Sequence, residues 1–154
     1  MKLRPYHNED TEEILHLIQD TIREVNRFDY NAQQIRAWSF GFQDSVRWQK
    51  RLSDSDTWIA AQDGQTIGVA SLYAEVLDLL YVHKDFQHQG VAKKLVQFLE
   101  ERAVQSGLDA IETESSLTAK PFFVSQGFRE LEEQMKIIRG ISIKNFRMCK
   151  KLNI

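Results

Sequence analysis

The stretch from Leu79 to Gly107, LLYVHKDFQHQGVAKKLVQFLEERAVQSG, constrains the chain more than any other. Leu79, Leu80, Tyr81 and Val82 form an apolar, β-prone run suited to a buried strand. A polar connection follows, Gln87-His88-Gln89-Gly90. Ala92, Leu95, Val96, Leu99 and Ala103 then recur at helical spacing, while Lys93, Lys94, Glu100, Glu101 and Arg102 take the solvated side. Gly107 suits the position just past the helix end. The stretch is therefore strand, loop and helix, with a glycine at the helix start. The first N–H groups of a helix have no intrahelical partner and lie at the positive end of its dipole, so such a loop is a ready phosphate site. A plain strand-to-helix turn fits the same pattern, because no Walker lysine and no G-x-G-x-x-G accompany it.

Composition narrows the partners. A length of 154 residues suits one domain with one core, spanning residues 1–154. The net charge is −2 and no basic block stands out, which argues against nucleic acid as the main partner. Cys149 is the sole cysteine, so an intrachain disulfide is impossible and a reducing cytoplasm fits. The opening MKLRPYHNED lacks the apolar run of a signal peptide, and no stretch is long and apolar enough to span a bilayer. The expectation is a cytoplasmic protein with no membrane, nucleic-acid or metal partner.

Along the chain, Lys2 to Tyr6 reads as a short first strand. Asp10, with Glu13 three residues on, reads as a helix cap ahead of the buried face Ile14, Leu17, Ile18, Ile22 and Val25. Asn26 to Tyr30 breaks that pattern, and Asn31 with Gln34 caps a second helix carrying Ile35 and Trp38. Ser39 to Ser45 reads as loop, followed by a helical turn through Trp48 and Leu52. Asp63-Gly64 between Trp58–Gln62 and Thr66–Leu72 predicts a hairpin, and Gly68 a bulge or close backbone approach. Val76 to Val82 is the next strand, interrupted by Asp78. A carboxylate in a central strand is costly to bury unless it is paired or functional. Asp109 to Glu114 is a further strand, joined to Val76–Val82 by a right-handed parallel crossover. Ligands of such sheets lie beyond the carboxyl ends of strands, where the glycine loop falls. Leu117 to Gln126 is a short helix, and Gln134–Arg139 with Ile141–Lys150 a closing hairpin around Gly140.

Two motifs carry a resemblance. Gln87-x-x-Gly90-x-Ala92 is similar to the Q/R-x-x-G-x-G/A acyl-CoA signature of the GNAT-type N-acetyltransferases. Downstream, Ala119-Lys120-Pro121-Phe122-Phe123 with Gly127-Phe128 resembles that family's A-x-x-F-Y-x-x-x-G-F segment. The resemblance covers about Thr57 to Phe128 well. It implies an α/β (α+β) fold: a mixed, mostly antiparallel sheet of six or seven strands, helices on both faces and a central β-α-β acyl-CoA-binding unit. It implies acetyl transfer from acetyl-CoA, as co-substrate, to a primary amine on a small molecule or a protein, by direct attack in a ternary complex. It also admits a homodimer. An acyl-CoA sensor or partner-binding module without catalysis is the alternative.

Carried over by position, Leu80, Tyr81 and Val82 run along the pantetheine, with the backbones of Leu80 and Val82 bonding it as an added strand. Gln87, His88, Gln89, Gly90, Val91 and Ala92 wrap the pyrophosphate, Lys93 reaches a phosphate oxygen or is merely solvated, and Ser116 and Phe122 flank the arm. Phe28, Tyr30, Trp38 and Glu114 are candidates for the acceptor pocket. Phe123 stands where the family often has a tyrosine acid, so the leaving thiolate lacks that proton donor. Asp78 is the first candidate general base, because period-2 geometry puts it on the face of Leu80 and Val82. Glu75 and Glu114 compete with it, and the bland alternative is that Asp78 only pairs with a basic side chain.

Overall fold

A computed structural model describes residues 1–152. One seven-stranded sheet runs through it in the order β1-β2-β3-β4-β5-β7-β6. Its strands are β1 (Lys2–Pro5), β2 (Asp56–Gln62), β3 (Gln65–Tyr73), β4 (Val76–Val82), β5 (Ala110–Ser116), β6 (Arg129–Ile138) and β7 (Ile141–Lys151). All neighbours are antiparallel except β4 and β5, which the crossover helix α4 (Val91–Gln105) joins in parallel. Helices α1 (Thr11–Glu24), α2 (Ala32–Phe40) and α3 (Ser45–Asp54) cover one face, and α4 with α5 (Lys120–Ser125) the other.

The burial pattern of each strand follows from these layers. On the α4 face, Leu95, Val96 and Leu99 pack on Ala70, Leu72, Leu77, Val82, Ile111 and Met148. On the other, Ile14, Ile18, Ile22, Ile35 and Leu52 pack on Ile59, Val69, Leu79 and Ile143. β3 is covered on both sides and is buried from Thr66 to Leu72. Asp63 and Gly64 both take positive φ in the β2–β3 turn, as a two-residue hairpin requires. Gly68 serves both expectations. Ala60 pairs with Gly68 but Ala61 with Thr66, so Ile67 is an extra residue, and α4 crosses so closely that a Cβ on Gly68 would lie 2.8 Å from Val91 Cγ1.

Four expectations are corrected. Asp10 does not cap α1 with its side chain: it closes a one-turn helix over Asn8–Asp10 by accepting from the His7 N–H and forms a two-point ion pair with Arg4 at 2.9 Å. That guanidinium holds the Asp10 carboxyl below the usual range. The predicted turn around Trp48 is the ten-residue helix α3, capped by Asp44, whose amphipathic face was hidden by its high charge. β6 begins at Arg129, five residues before the expected start. Its glutamates look unlike a strand, but β6 is a sheet edge and they pair with Lys120, Lys144 and Arg147. Finally, the alternation through β4 is broken: Ser71 pairs with Leu79 and Leu72 with Leu77, so Asp78 is the unpaired residue of a bulge.

Candidate active site

β4 and β5 pair only at Val76–Glu112 and Leu77–Thr113. The Thr113 hydroxyl donates to the Leu77 carbonyl at 2.9 Å and marks the last point of contact. Beyond it β5 follows β7 to the Ser116–Asn145 pair, while β4 follows β3 to the Val82–Gly68 pair, so the two strands part. The gap is a cleft of about 550 Å³, within the usual range for small-molecule sites. The β4 backbone forms one bank. The His83 N–H bonds the Ile67 carbonyl, which makes Val82–Gly68 and, two residues back, Leu80–Ala70 the non-hydrogen-bonded pairs of the antiparallel ladder. The N–H and C=O of Leu80 and Val82 therefore point away from β3, into the cleft. The Val82 carbonyl is already engaged by the Thr21 hydroxyl and by Gln87 Nε2, at 2.9 and 2.7 Å. Leu80 N–H, Leu80 C=O and Val82 N–H remain for a ligand.

The head of the cleft is the start of α4. His88 and Gly90 take positive φ of 59° and 82°, turning the chain sharply into the helix. No side chain caps it, and its first internal bond runs from Lys94 N–H to Gly90 O. The N–H groups of Val91, Ala92 and Lys93 are thus the orphan donors of a helix start. A Cβ on Gly90 would meet no protein atom within 4 Å, so the glycine answers to the backbone angle and to whatever approaches from outside. His88, Gly90, Val91, Ala92 and the exposed Lys93 line the cleft; Gln87 also lines it, but its amide braces β4. Gln89 is exposed and is not part of the lining.

Ser115, Ser116 and Phe122 belong to the opposite bank. The Ser116 hydroxyl accepts from the Ala119 N–H at 3.0 Å and holds the turn into α5. Phe123 is buried edge-on against Phe122 and Phe128, a core residue at the cleft wall with no proton to donate. The hydroxyls of Ser125 and Tyr73 lie outside the lining and offer no substitute for that proton donor.

Asp78, Tyr81, Trp38 and Glu114 also line the cleft, as do Thr21, Val25 and Asn26 from the α1 side. The bulge cancels the period-2 argument for Asp78. Its carboxylate reaches α3, where Oδ2 accepts from Arg51 Nε at 2.9 Å. Arg51 stacks 3.9 Å above the Tyr73 ring, and the carboxylate keeps its guanidinium above the ordinary range. Asp78 is thus paired, as the bland reading had it, yet its side chain is 22% exposed and still lines the cleft. Tyr81 packs edge-on against Phe42, and burial raises its phenol well above the usual value. That direction makes it no base for the reaction. Glu114 is exposed, ion-paired with Lys136 at 2.9 Å.

Besides Gln89, three expected site residues are elsewhere. Glu75 is exposed in the β3–β4 turn, outside the lining, because that turn lies at the far end of β4 from α4. Phe28 is 76% exposed and stacks under Arg27. Tyr30 is buried beneath the lining: its hydroxyl donates to the Lys144 carbonyl and accepts from the Leu117 N–H, and burial raises its phenol too. Asn26 in the lining, and Arg51 behind it as the partner of Asp78, carry no role in the sequence analysis. Arg51 carries no local signal, since only folding brings α3 to β4. Asn26 carries one: it continues the stripe Ile18, Ile22 at spacing four, where an apolar residue is the rule.

A sheet splayed at a parallel pair, with free strand amides leading to an uncapped helix start, defines a site for an extended phosphate-bearing ligand, and this is the architecture of acyltransferases that use a thioester carrier. Residues 26–150 match the acetyltransferase (GNAT) domain. The chain is 30% identical over 148 residues to the uncharacterized N-acetyltransferase YafP of Escherichia coli K12, covering 96% of this chain and 94% of that one. A crystal structure of a GCN5-related N-acetyltransferase from Rhodopseudomonas palustris superposes with a TM-score of 0.96 at 31% identity, covering 98% of this chain and 95% of that one. The PaiA N-acetyltransferase of Thermoplasma acidophilum, solved with coenzyme A, shares the fold with a TM-score of 0.78 at 18% identity over 97% and 98% of the two chains. The protein belongs to the GNAT acetyltransferase family.

Proposed function

We propose that the chain acts as a single N-acetyltransferase domain that moves the acetyl group of acetyl-CoA directly onto a primary amine, with both substrates bound at once. The observation that carries this reading is the parting of β4 from β5 after Leu77–Thr113. It frees the Leu80 and Val82 amides beside an uncapped α4, a run of donors matched to a pantetheine arm ending in a pyrophosphate. The pyrophosphate lies against the N–H groups from His88 to Lys93, the arm extends along Leu80 and Val82, and Phe122 and Ser116 close its other side. The thioester carbonyl accepts from a β4 N–H, and the charge that develops on its oxygen is stabilised there.

The acceptor approaches from the side of Trp38, Tyr81 and Glu114. Its nitrogen must be unprotonated to attack, and Asp78, directly or through one water, takes that proton. The new C–N bond forms as the C–S bond breaks and the sulfur leaves as thiolate. A thiol of this kind has a pKa of roughly 8–9, so the thiolate departs without a protein acid and is protonated by solvent. This accommodates Phe123. The test is release of free thiol from acetyl-CoA across a panel of small amines and peptide N-termini. Protein that binds acetyl-CoA and releases no thiol with any of them would be a binding module instead.

A further inference from the structure

The segment from Thr21 to Tyr30 bridges the two banks of the cleft. At one end the Thr21 hydroxyl holds the Val82 carbonyl of β4 at 2.9 Å. At the other, Tyr30 accepts from the Leu117 N–H at 2.8 Å and Asp29 accepts from the Thr118 hydroxyl at 2.8 Å, both just beyond β5. Between these anchors lies Asn26, 6% exposed and part of the cleft wall. Its backbone carbonyl takes the Asp29 N–H, but among the described residues its carboxamide has no hydrogen-bond partner. Neither polar atom of the carboxamide is fully buried, so its idle donor and acceptor both open to the cleft, where a ligand or water completes them.

We infer that Asn26 is the third contact to the acyl donor's arm: its carboxamide pairs with a secondary amide of the pantetheine from the α1 side of the gap. This rests on the acetyl-CoA reading above. The chemistry is specific. The arm carries amides, each with one N–H and one C=O; the β4 backbone meets one side of an extended arm, and a carboxamide is the neutral side chain that can both donate to and accept from the other. The bridge matters because it fixes where the amide stands. Thr21 and Tyr30 tie it to both banks, so Asn26 is presented over the gap without being ordered by the ligand.

The experiment compares two probes by calorimetry on the full chain. Acetyl-CoA carries the arm; 3′-phospho-ADP has the same nucleotide end and lacks it. Asn26→Ala is expected to weaken acetyl-CoA about fivefold to tenfold, the loss of one or two neutral hydrogen bonds, and to leave 3′-phospho-ADP unchanged. Asn26→Asp keeps the shape and removes the NH₂ donor, so it should weaken acetyl-CoA as well and covers the case in which alanine unfolds the segment. Tyr30→Phe, which releases the bridge but keeps the ring, should give a smaller loss in the same direction. Wild-type affinity for acetyl-CoA in folded Asn26→Ala and Asn26→Asp overturns the inference, as does an equal loss for both probes. Wild-type protein that binds acetyl-CoA no better than 3′-phospho-ADP refutes instead the seating of the arm between β4 and β5, on which the inference stands.

Discussion

Asp78→Asn separates the chemical role of this residue from its structural one. The substitution keeps the shape, and the amide oxygen still accepts from Arg51 Nε, so the 2.9 Å contact survives as a neutral hydrogen bond. The ion pair it replaces is open to solvent, with Arg51 39% and Asp78 22% exposed, and pairs of this kind contribute about 0–1 kcal/mol. The urea midpoint should therefore move little. Turnover should not behave that way. If Asp78 accepts the proton of the attacking amine, its loss costs roughly 10²–10⁴-fold in rate at neutral pH. The affinity for acetyl-CoA should be unchanged, because Asp78 is not one of the groups facing the arm. Rate should return as pH rises and the free amine accumulates without help. Arg51→Met leaves the carboxylate in place and should cost far less turnover. The assay is initial thiol release at saturating acetyl-CoA with the best amine found, from pH 6 to 10 (about the span over which free amine rises a thousandfold or more for an alkylamine). Near-wild-type turnover of Asp78→Asn at neutral pH refutes the assignment. Glu114 would then be the carboxylate to examine, since Glu75 lies outside the cleft.

Gly68→Ala puts a methyl 2.8 Å from Val91 Cγ1 and 3.1 Å from Leu95 Cδ1, so urea unfolding should show a loss of about 1–3 kcal/mol, with weaker acetyl-CoA binding because Val91 opens the donor helix; a variant as stable as wild type would show that α4 is not packed this closely. Gly90→Asp should abolish acetyl-CoA binding in calorimetry because its charge faces the pyrophosphate, and should lower the melting temperature by a few degrees, because φ of 82° strains any side chain even though its Cβ meets no protein atom; undiminished binding in folded protein would remove the loop from the site. Phe123→Tyr should bind acetyl-CoA and alter thiol-release rates only modestly, or raise them if protonation of the thiolate limits the wild type; loss of binding in folded protein would mean the buried ring shapes the arm's channel.

Local rules carried well where one element decides its own form. The β2–β3 turn follows from Asp63-Gly64 because few other pairs tolerate positive φ twice, and Asn31 with Gln34 closes a reciprocal cap as its residue types require. β4 has the expected bounds, Val76–Val82, because an apolar run between polar turns has few alternatives. The charged start of β6 was illegible for the converse reason: an edge strand needs no buried side chains, so its pattern does not alternate in hydropathy.

At the site, the sequence by itself determined the strand, the glycine loop and the helix, and with them the Gly90 to Lys93 backbone that faces the cleft. Backbone groups at a helix start are left unpaired by the local conformation alone, whereas those of Leu80 and Val82 are freed only by the pairing of β4 with its neighbours. What each side chain meets was decided by tertiary structure. The bulge at Asp78 exists only because β3 pairs with β4 out of step, and it turns the carboxylate toward Arg51, 27 residues away in the chain. Glu75 and Phe28 looked equivalent to true lining residues until the β3–β4 turn and a one-turn helix over Asn26–Phe28 carried them outward. The cleft itself depends on β5 leaving β4 for β7, a choice made by long-range pairing, which no local pattern in the chain encodes.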